Sequence, residues 1–242
     1  MQKYLKEEKY IDIESYAKFG FQYYNIDIPI NLKKYLTSTK YESLLDCGCG
    51  DGGTIYSLKT QGFLENKNVY AIDLSKNRVE IVKEIYPKAN VFIDNVETMK
   101  SIFDNSIDFL ISEQVIEHVD QIKMLRNIDR VVKKNGIVYL TTVFKKWYGW
   151  YFYKNNGKWV LDPTHLREYK KDSELLDLID KNKFEILENN KKLISYPILD
   201  FFVKILKIKN RSIYNNKFLK IARKIKRPVL GYYNWEIILK KK

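Results

Sequence analysis

From residue 43 onward, short apolar runs alternate with segments whose apolar residues recur every three to four positions. The runs at 43–46, 68–73, 91–94, 107–112 and 137–143 predict strands. The fourth is apolar almost throughout, as a parallel strand covered on both faces should be. Between them, Ile55 and Leu58 predict the inward face of a helix over 54–61 that stops at Gly62. Val79, Val82 and Tyr86 mark a second helix, which Ser75 can cap and Pro87 ends. A third is predicted over 96–103, and Ile122, Leu125, Ile128 and Val132 mark a fourth, terminated by Asn135-Gly136. Strand and helix in alternation predict an α/β fold: a doubly wound, Rossmann-like, mostly parallel sheet with helices on both faces.

Both ends of the chain depart from this pattern. Residues 1–40 carry Tyr10, Tyr16, Phe19, Phe21, Tyr23 and Tyr24 and predict a helical cap, whose last helix Pro29 opens and which ends near Leu36. After residue 143, Trp147, Tyr148, Trp150, Tyr151, Phe152, Tyr153 and Trp159 crowd one connection, more rings than a short loop normally buries; they predict a substrate wall or lid. A turn at Asp162-Pro163-Thr164-His165, a helix over 172–180, a sixth strand over 184–187 and a last one over 235–239 follow. Between those strands Phe218, Ile221, Ala222 and Ile225 recur at helical spacing among Lys and Arg, predicting a basic amphipathic helix. The expected organisation is one domain: a cap (1–40), a core (41–194), a basic helical insertion (195–231) and a last strand (232–242).

Charge sharpens this division. The 242 residues carry a net +13, yet 201–235 contain ten Lys or Arg and no acid, which leaves only +3 for the rest. One segment therefore holds the excess and calls for an anionic partner. An anionic membrane surface contacted through 198–227 is the first expectation. RNA is the second, because one basic helix lacks the ordered motifs of an RNA-reading module. No apolar run reaches the roughly 18 residues of a spanning helix, and residues 1–8 have no signal-peptide core. The expected location is the cytoplasm, with a peripheral place at the inner membrane face.

The chemistry is expected at Leu44-Leu45-Asp46-Cys47-Gly48-Cys49-Gly50-Asp51-Gly52-Gly53, where a strand runs into a glycine-dense turn and then a helix. Gly48-x-Gly50-x-x-Gly53 fits a dinucleotide fingerprint, but a diphosphate needs N–H groups without carboxylates beside them. Asp46 and Asp51 would repel it. S-Adenosylmethionine, with its sulfonium and ammonium cations, suits such a mouth. Asp73, closing the second strand, can accept both ribose hydroxyls of either cofactor. Asp94, closing the third, is placed to accept an adenine amine. Cys47 and Cys49, with no other thiols and two histidines in the chain, make a poor metal pair; they are expected to pack under the loop.

These motifs resemble the class I S-adenosylmethionine-dependent methyltransferases, in the group with small-molecule substrates. The resemblance rests on the glycine stretch, Ala71-Ile72-Asp73-Leu74-Ser75, Asp94-Asn95-Val96, the run from Phe109 to Val119, Arg130 to Gly136, and Asp162 to Tyr169. It implies a seven-stranded sheet with an antiparallel last strand. It also implies a cofactor site formed by Asp46, Gly48, Cys49, Gly50, Asp73, Leu74, Asp94, Asn95, Val96 and Glu113, with S-adenosylhomocysteine as product. The implied reaction is methyl transfer to an oxygen, or as second choice a nitrogen, of a small or carrier-, lipid- or glycan-linked acceptor. The runner-up is an RNA methyltransferase or a non-catalytic nucleic-acid-binding protein that uses the basic insertion. His118 and His165 are the candidate catalytic residues, as general bases or as packing groups. A metal-dependent branch carries Glu-x-x-Glu-His at this place; here Gln114 replaces the first glutamate, so no divalent metal is expected.

Overall fold

The computed structural model describes residues 4–6, 9–11, 27–155, 157–199, 202 and 224–242. Its core is a sheet of seven strands: β3 (Ser43–Cys47), β4 (Asn68–Asp73), β5 (Asn90–Ile93), β6 (Ile107–Glu113), β7 (Val132–Lys145), β10 (Phe184–Pro197) and β11 (Lys226–Lys241), in the order β10-β11-β7-β6-β3-β4-β5. β3 pairs in parallel with both β4 and β6, whereas β11 is antiparallel to its neighbours β7 and β10. The expected mostly parallel sheet with an antiparallel last strand is therefore the fold observed.

The apolar runs explain why the middle strands are central. All five residues of β3 are buried. Successive side chains of a strand point to opposite faces, and here Leu45 joins one hydrophobic cluster while Leu44 joins the other; Ile237 and Ile238 divide in the same way. One face is covered by α4 (Gln121–Val131), through Met124, Ile128 and Val131. The other is covered by α1 (Ile30–Ser38), α2 (Gly53–Thr60) and α3 (Lys76–Ile85), through Leu32, Leu36, Ile55, Leu58, Val79 and Val82. Ser75 caps α3 by accepting from the Arg78 N–H, and Asp120 caps α4 through the N–H groups of Ile122 and Lys123. Cys47 and Cys49 are free thiols packed in the core.

Local structure departs from the sequence pattern in several places. No helix forms over 96–103: Asp94 Oδ2 accepts both the N–H and the hydroxyl of Ser101 (2.7 and 2.6 Å), which folds the segment into turns. Asn135 and Gly136 do not end a helix. α4 stops at Val131, and the pair lies in a bulge of β7, where residues 132–137 face only 107–109 of β6. The helix expected over 172–180 shrinks to α5 (Ser173–Leu176), because the Asp172 carboxylate accepts from Lys191 and Asn189 and does not cap it. At the N-terminus, where helix is expected, β1 (Tyr4–Lys6) and β2 (Lys9–Ile11) pair as an antiparallel hairpin. Residues 12–26, the rest of the expected cap before Asp27, lie outside the described residues.

The largest difference lies at the far edge of the sheet. The short sixth and last strands expected are 14 and 16 residues long, and they run on as a twisted ribbon in which Pro197 faces Lys226. The flanks of the expected insertion are thus strand. Phe218, Ile221 and Ala222 of the expected amphipathic helix lie outside the described residues, and Ile225 is exposed. A small hairpin, β8 (Tyr153–Asn155) with β9 (Lys158–Val160), carries part of the aromatic connection. Tyr151 buries itself against the ribbon with Val229 and Tyr232, while Trp147 is 90% exposed.

Candidate active site

The glycine loop and three carboxylates meet at the carboxyl ends of β3, β4 and β6, where ligands enter an open parallel sheet. Gly48 and Cys49 N–H groups both donate to the Ile72 carbonyl (2.9 and 3.0 Å), pinning the loop to the end of β4. Gly48 has φ +79°, and a Cβ there would lie 2.6 Å from Val115 Cγ2, so only glycine allows this turn. Gly50 faces open space. The Gly50 N–H donates to Asp73 Oδ2 (3.0 Å) and the Ser75 N–H to Asp73 Oδ1 (2.9 Å), so Asp73 joins the loop to the start of α3. Leu74, between them, is half-buried.

Asp46 is buried at the end of β3, and its Oδ2 has no hydrogen-bond partner. Burial, then the charges of Glu113 and Asp73, push its carboxyl well above the usual carboxylate range. Glu113, ending β6, is raised by burial and by Glu236, against a 2.6 Å hydrogen bond from the Thr54 hydroxyl. Glu236 in turn accepts from the Tyr139 hydroxyl and the Asn31 amide. Asp46 is thus buried beside Glu113 and Asp73, and Glu113 lies half-buried beside Glu236. A cation placed among them would relieve both penalties. Asp94 is different: its oxygens accept from the Asn95 N–H and from the N–H and hydroxyl of Ser101, so an adenine amine would share an already satisfied carboxylate. Asn95 Oδ1 accepts from the Glu97 N–H, and Val96 is buried in the core.

A second group forms where the 3-10 turn Ile116–His118 meets the turn at 162–165. Asp162 Oδ1 accepts both the N–H and the hydroxyl of Thr164 (2.7 and 2.6 Å), and the Leu166 N–H donates to the Glu117 carbonyl (2.8 Å). Arg167 ties down the same turn through the carbonyls of Ile116 and Val119. The two histidines are thereby brought together, ring centroids 4.8 Å apart, with His118 Nδ1 3.1 Å from the Thr164 hydroxyl. Donor atoms of Glu117, His118 and His165 all lie within 4.8 Å of one another. Glu117 is fully buried; Oε2 accepts from the Thr142 hydroxyl (3.0 Å) and Oε1 has no partner. Burial pushes its carboxyl up to about 7, with His165 pulling the other way.

In the sequence Glu117-His118 reads as a possible catalytic pair, with His118 and His165 as the chosen candidates; the fold brings Glu117 to both histidines. The position of Glu117 beside His118 was the available signal. Glu236 and Tyr139, on distant strands, gave none. Gln114, which takes the place of a glutamate in the metal-dependent pattern, donates to Asn234 (2.7 Å). Glu117, His118 and His165 nonetheless have the chemistry of a three-ligand cation seat, with one orphaned oxygen on Glu117.

The raised Glu117 carboxyl fixes a pH dependence. Between about pH 5 and 7 the folded chain retains a proton there that the unfolded chain releases, so this group lowers stability as pH rises through that window and adds no further slope above it. Denaturant midpoints measured across pH should fall less steeply for Glu117→Gln than for the parent. Parallel profiles would show that Glu117 titrates normally.

Comparison with known proteins agrees with this geometry. A family profile described as a methyltransferase domain matches residues 45–140. The ubiquinone biosynthesis O-methyltransferase of Pelagibacter ubique is 28% identical over 182 residues, covering 68% of this chain and 74% of that protein. Among solved structures, the cyclase SpnF superposes with a TM-score of 0.58 at 18% identity, over 87% of this chain and 80% of that one. A geranyl diphosphate methyltransferase in complex with S-adenosylmethionine superposes with 0.56 at 12% identity, over 88% and 83%. The structural likenesses carry the fold, and the matched domain and sequence relatives carry the chemistry: the chain carries a methyltransferase domain over residues 45–140 and is similar to S-adenosylmethionine-dependent methyltransferases.

Proposed function

We propose that this methyltransferase delivers its methyl group to an oxygen of a small acceptor, free or linked to a carrier, lipid or glycan. The observation that carries the proposal is the Glu117–His118–His165 group at the same end of the sheet as the cofactor acids. An O-methyltransferase among the sequence relatives supports oxygen over nitrogen. In this reading Asp46, Gly48, Cys49, Gly50 and Glu113 seat the cationic methionine end. Asp73 and Leu74 receive the ribose, and Asp94, Asn95 and Val96 the adenine. The orphaned Asp46 oxygen and the mutual repulsion of Asp46, Asp73 and Glu113 suit that cation.

Bound S-adenosylmethionine supplies a methyl group already activated by its sulfonium, so the protein's main tasks are alignment and exclusion of water. An acceptor hydroxyl must also lose a proton. His118 and His165 stand where they can take it, and Glu117, poised near neutrality, offers the next station. A second reading rests on the orphaned Glu117 oxygen: the same three residues would hold a divalent cation that acidifies the hydroxyl. Incubation with S-adenosylmethionine and a panel of phenols, catechols and amines tests both. Mass spectrometry should find O-methyl products, abolished by His165→Ala and unaffected by EDTA. Loss with EDTA and rescue by a divalent metal would favour the cation seat; products from amines alone would overturn the oxygen assignment.

Contact with an anionic membrane through 198–227 belongs to the same proposal, with RNA as its rival. Support from the described residues comes from exposed Trp147, Tyr148 and Trp150 beside Lys146 and Lys154, a mixture of rings and amines suited to a bilayer interface. Vesicles of phosphatidylglycerol should carry the protein in flotation, vesicles of phosphatidylcholine should not, and salt should weaken binding. Trp147→Ala combined with Trp150→Ala should release it. An RNA gel shift without vesicle binding would transfer the basic segment to the rival.

A further inference from the structure

One buried acid beside the two histidines has no part in the chemistry above. Glu168 lies three residues beyond His165, its side chain 5% exposed, and four groups converge on it. Oε1 lies 3.1 Å from His165 Nδ1 and accepts the Leu161 N–H at 2.6 Å. Oε2 is 3.4 Å from Lys145 Nζ and accepts the Tyr232 hydroxyl at 3.3 Å. Lys145 supplies the opposite charge from the end of β7, lies over the Tyr232 ring and donates to the Trp159 carbonyl.

An ionised carboxylate can only accept hydrogen bonds, so the imidazole nitrogen that faces it must carry the proton. We infer that Glu168 is a positioning residue that holds His165 as its Nδ1–H tautomer, leaving Nε2 as the bare lone pair for the reaction. The inference rests on His165 being a working residue of the site proposed above. Geometry carries it: neither partner can turn away without losing a buried hydrogen bond, and His165 Nδ1 has Glu168 as its acceptor. A carboxylate behind an imidazole also orients the ring and raises the basicity of the far nitrogen.

The same carboxylate stitches the site to the aromatic connection. The Trp159 carbonyl lies in β9 and the Leu161 N–H directly after it, so Lys145 and Glu168 together hold the exit of β9 into the turn at 162–165. Seating of the β8–β9 hairpin and the state of His165 therefore share one anchor. An acceptor that presses on Trp159 would bear on the base through two hydrogen bonds.

With only two histidines in the chain, the tautomer can be read directly. Long-range ¹H–¹⁵N correlation on the ¹⁵N-histidine-labelled full chain, with His118→Gln to assign the signals, should show His165 protonated at Nδ1 and bare at Nε2 in mildly alkaline buffer. Glu168→Gln should shift it to a mixture or to the Nε2–H form, and Glu168→Asp should restore the parent pattern in part. A parent His165 protonated at Nε2, or a pattern unchanged in Glu168→Gln, overturns the inference. The parent spectrum decides by itself if the variant does not fold. No acceptor is needed, so this test can fail while methyl transfer stands, and the acceptor panel can fail while the tautomer holds.

Discussion

A buried carboxylate crowded by two others at the end of a parallel sheet is the constraint on which the site depends. Asp46, Asp73 and Glu113 end three adjacent strands, and the strand order places them side by side. Asp46 cannot retreat into solvent, because β3 is buried along its whole length and the glycine loop closes over it. Burying a carboxylate beside others costs stability unless it is neutralised or met by a cation. The fold accepts this cost with one oxygen of Asp46 left without a partner. A cofactor with two positive groups and no phosphate answers that arrangement; a dinucleotide would worsen it.

A second strained arrangement lies at Glu117, a few residues beyond Glu113 in the chain. Glu117 is as buried as Asp46, is raised by burial, and keeps an orphaned oxygen beside two histidines. The two groups differ in what relieves them. The first wants a fixed positive charge, whereas the second can take up and release a proton near neutrality. In the proposed function one seats the methyl donor and the other takes part in deprotonation of the acceptor. The turn carrying Glu117 and His118 follows the end of β6, so the strand that fixes Glu113 also fixes that turn.

Much of this was legible in the sequence, for physical reasons. Buried parallel strands are written as continuous apolar runs, and tight loops as glycines, so the core strands and the loop could be read directly. His118 and His165 were also picked out, but their proximity depends on Asp162 folding its own turn and on Arg167 clamping the chain to Ile116 and Val119. Where side-chain hydrogen bonds outbid helix propensity, the pattern misled: Asp94 holds Ser101 and makes turns of an expected helix. The long ribbon of β10 and β11 was underestimated because Asn189, Asn190, Lys191 and Lys192 interrupt the apolar alternation on an exposed edge. Glu236 gave no local signal, since Asn31 and Tyr139 come from elements far away in the chain, and for Glu168 only His165 and Leu161 are local while Lys145 and Tyr232 arrive from other strands.

The central claim is that the acids around the glycine loop hold S-adenosylmethionine, with Asp73 receiving its ribose. Titration calorimetry of S-adenosylhomocysteine into the parent chain and Asp73→Ala tests it most directly. Loss of hydrogen bonds to a charged group should cost roughly 1.5–3 kcal/mol, about a ten- to hundredfold weaker Kd. Equal affinity in the two proteins would contradict the account.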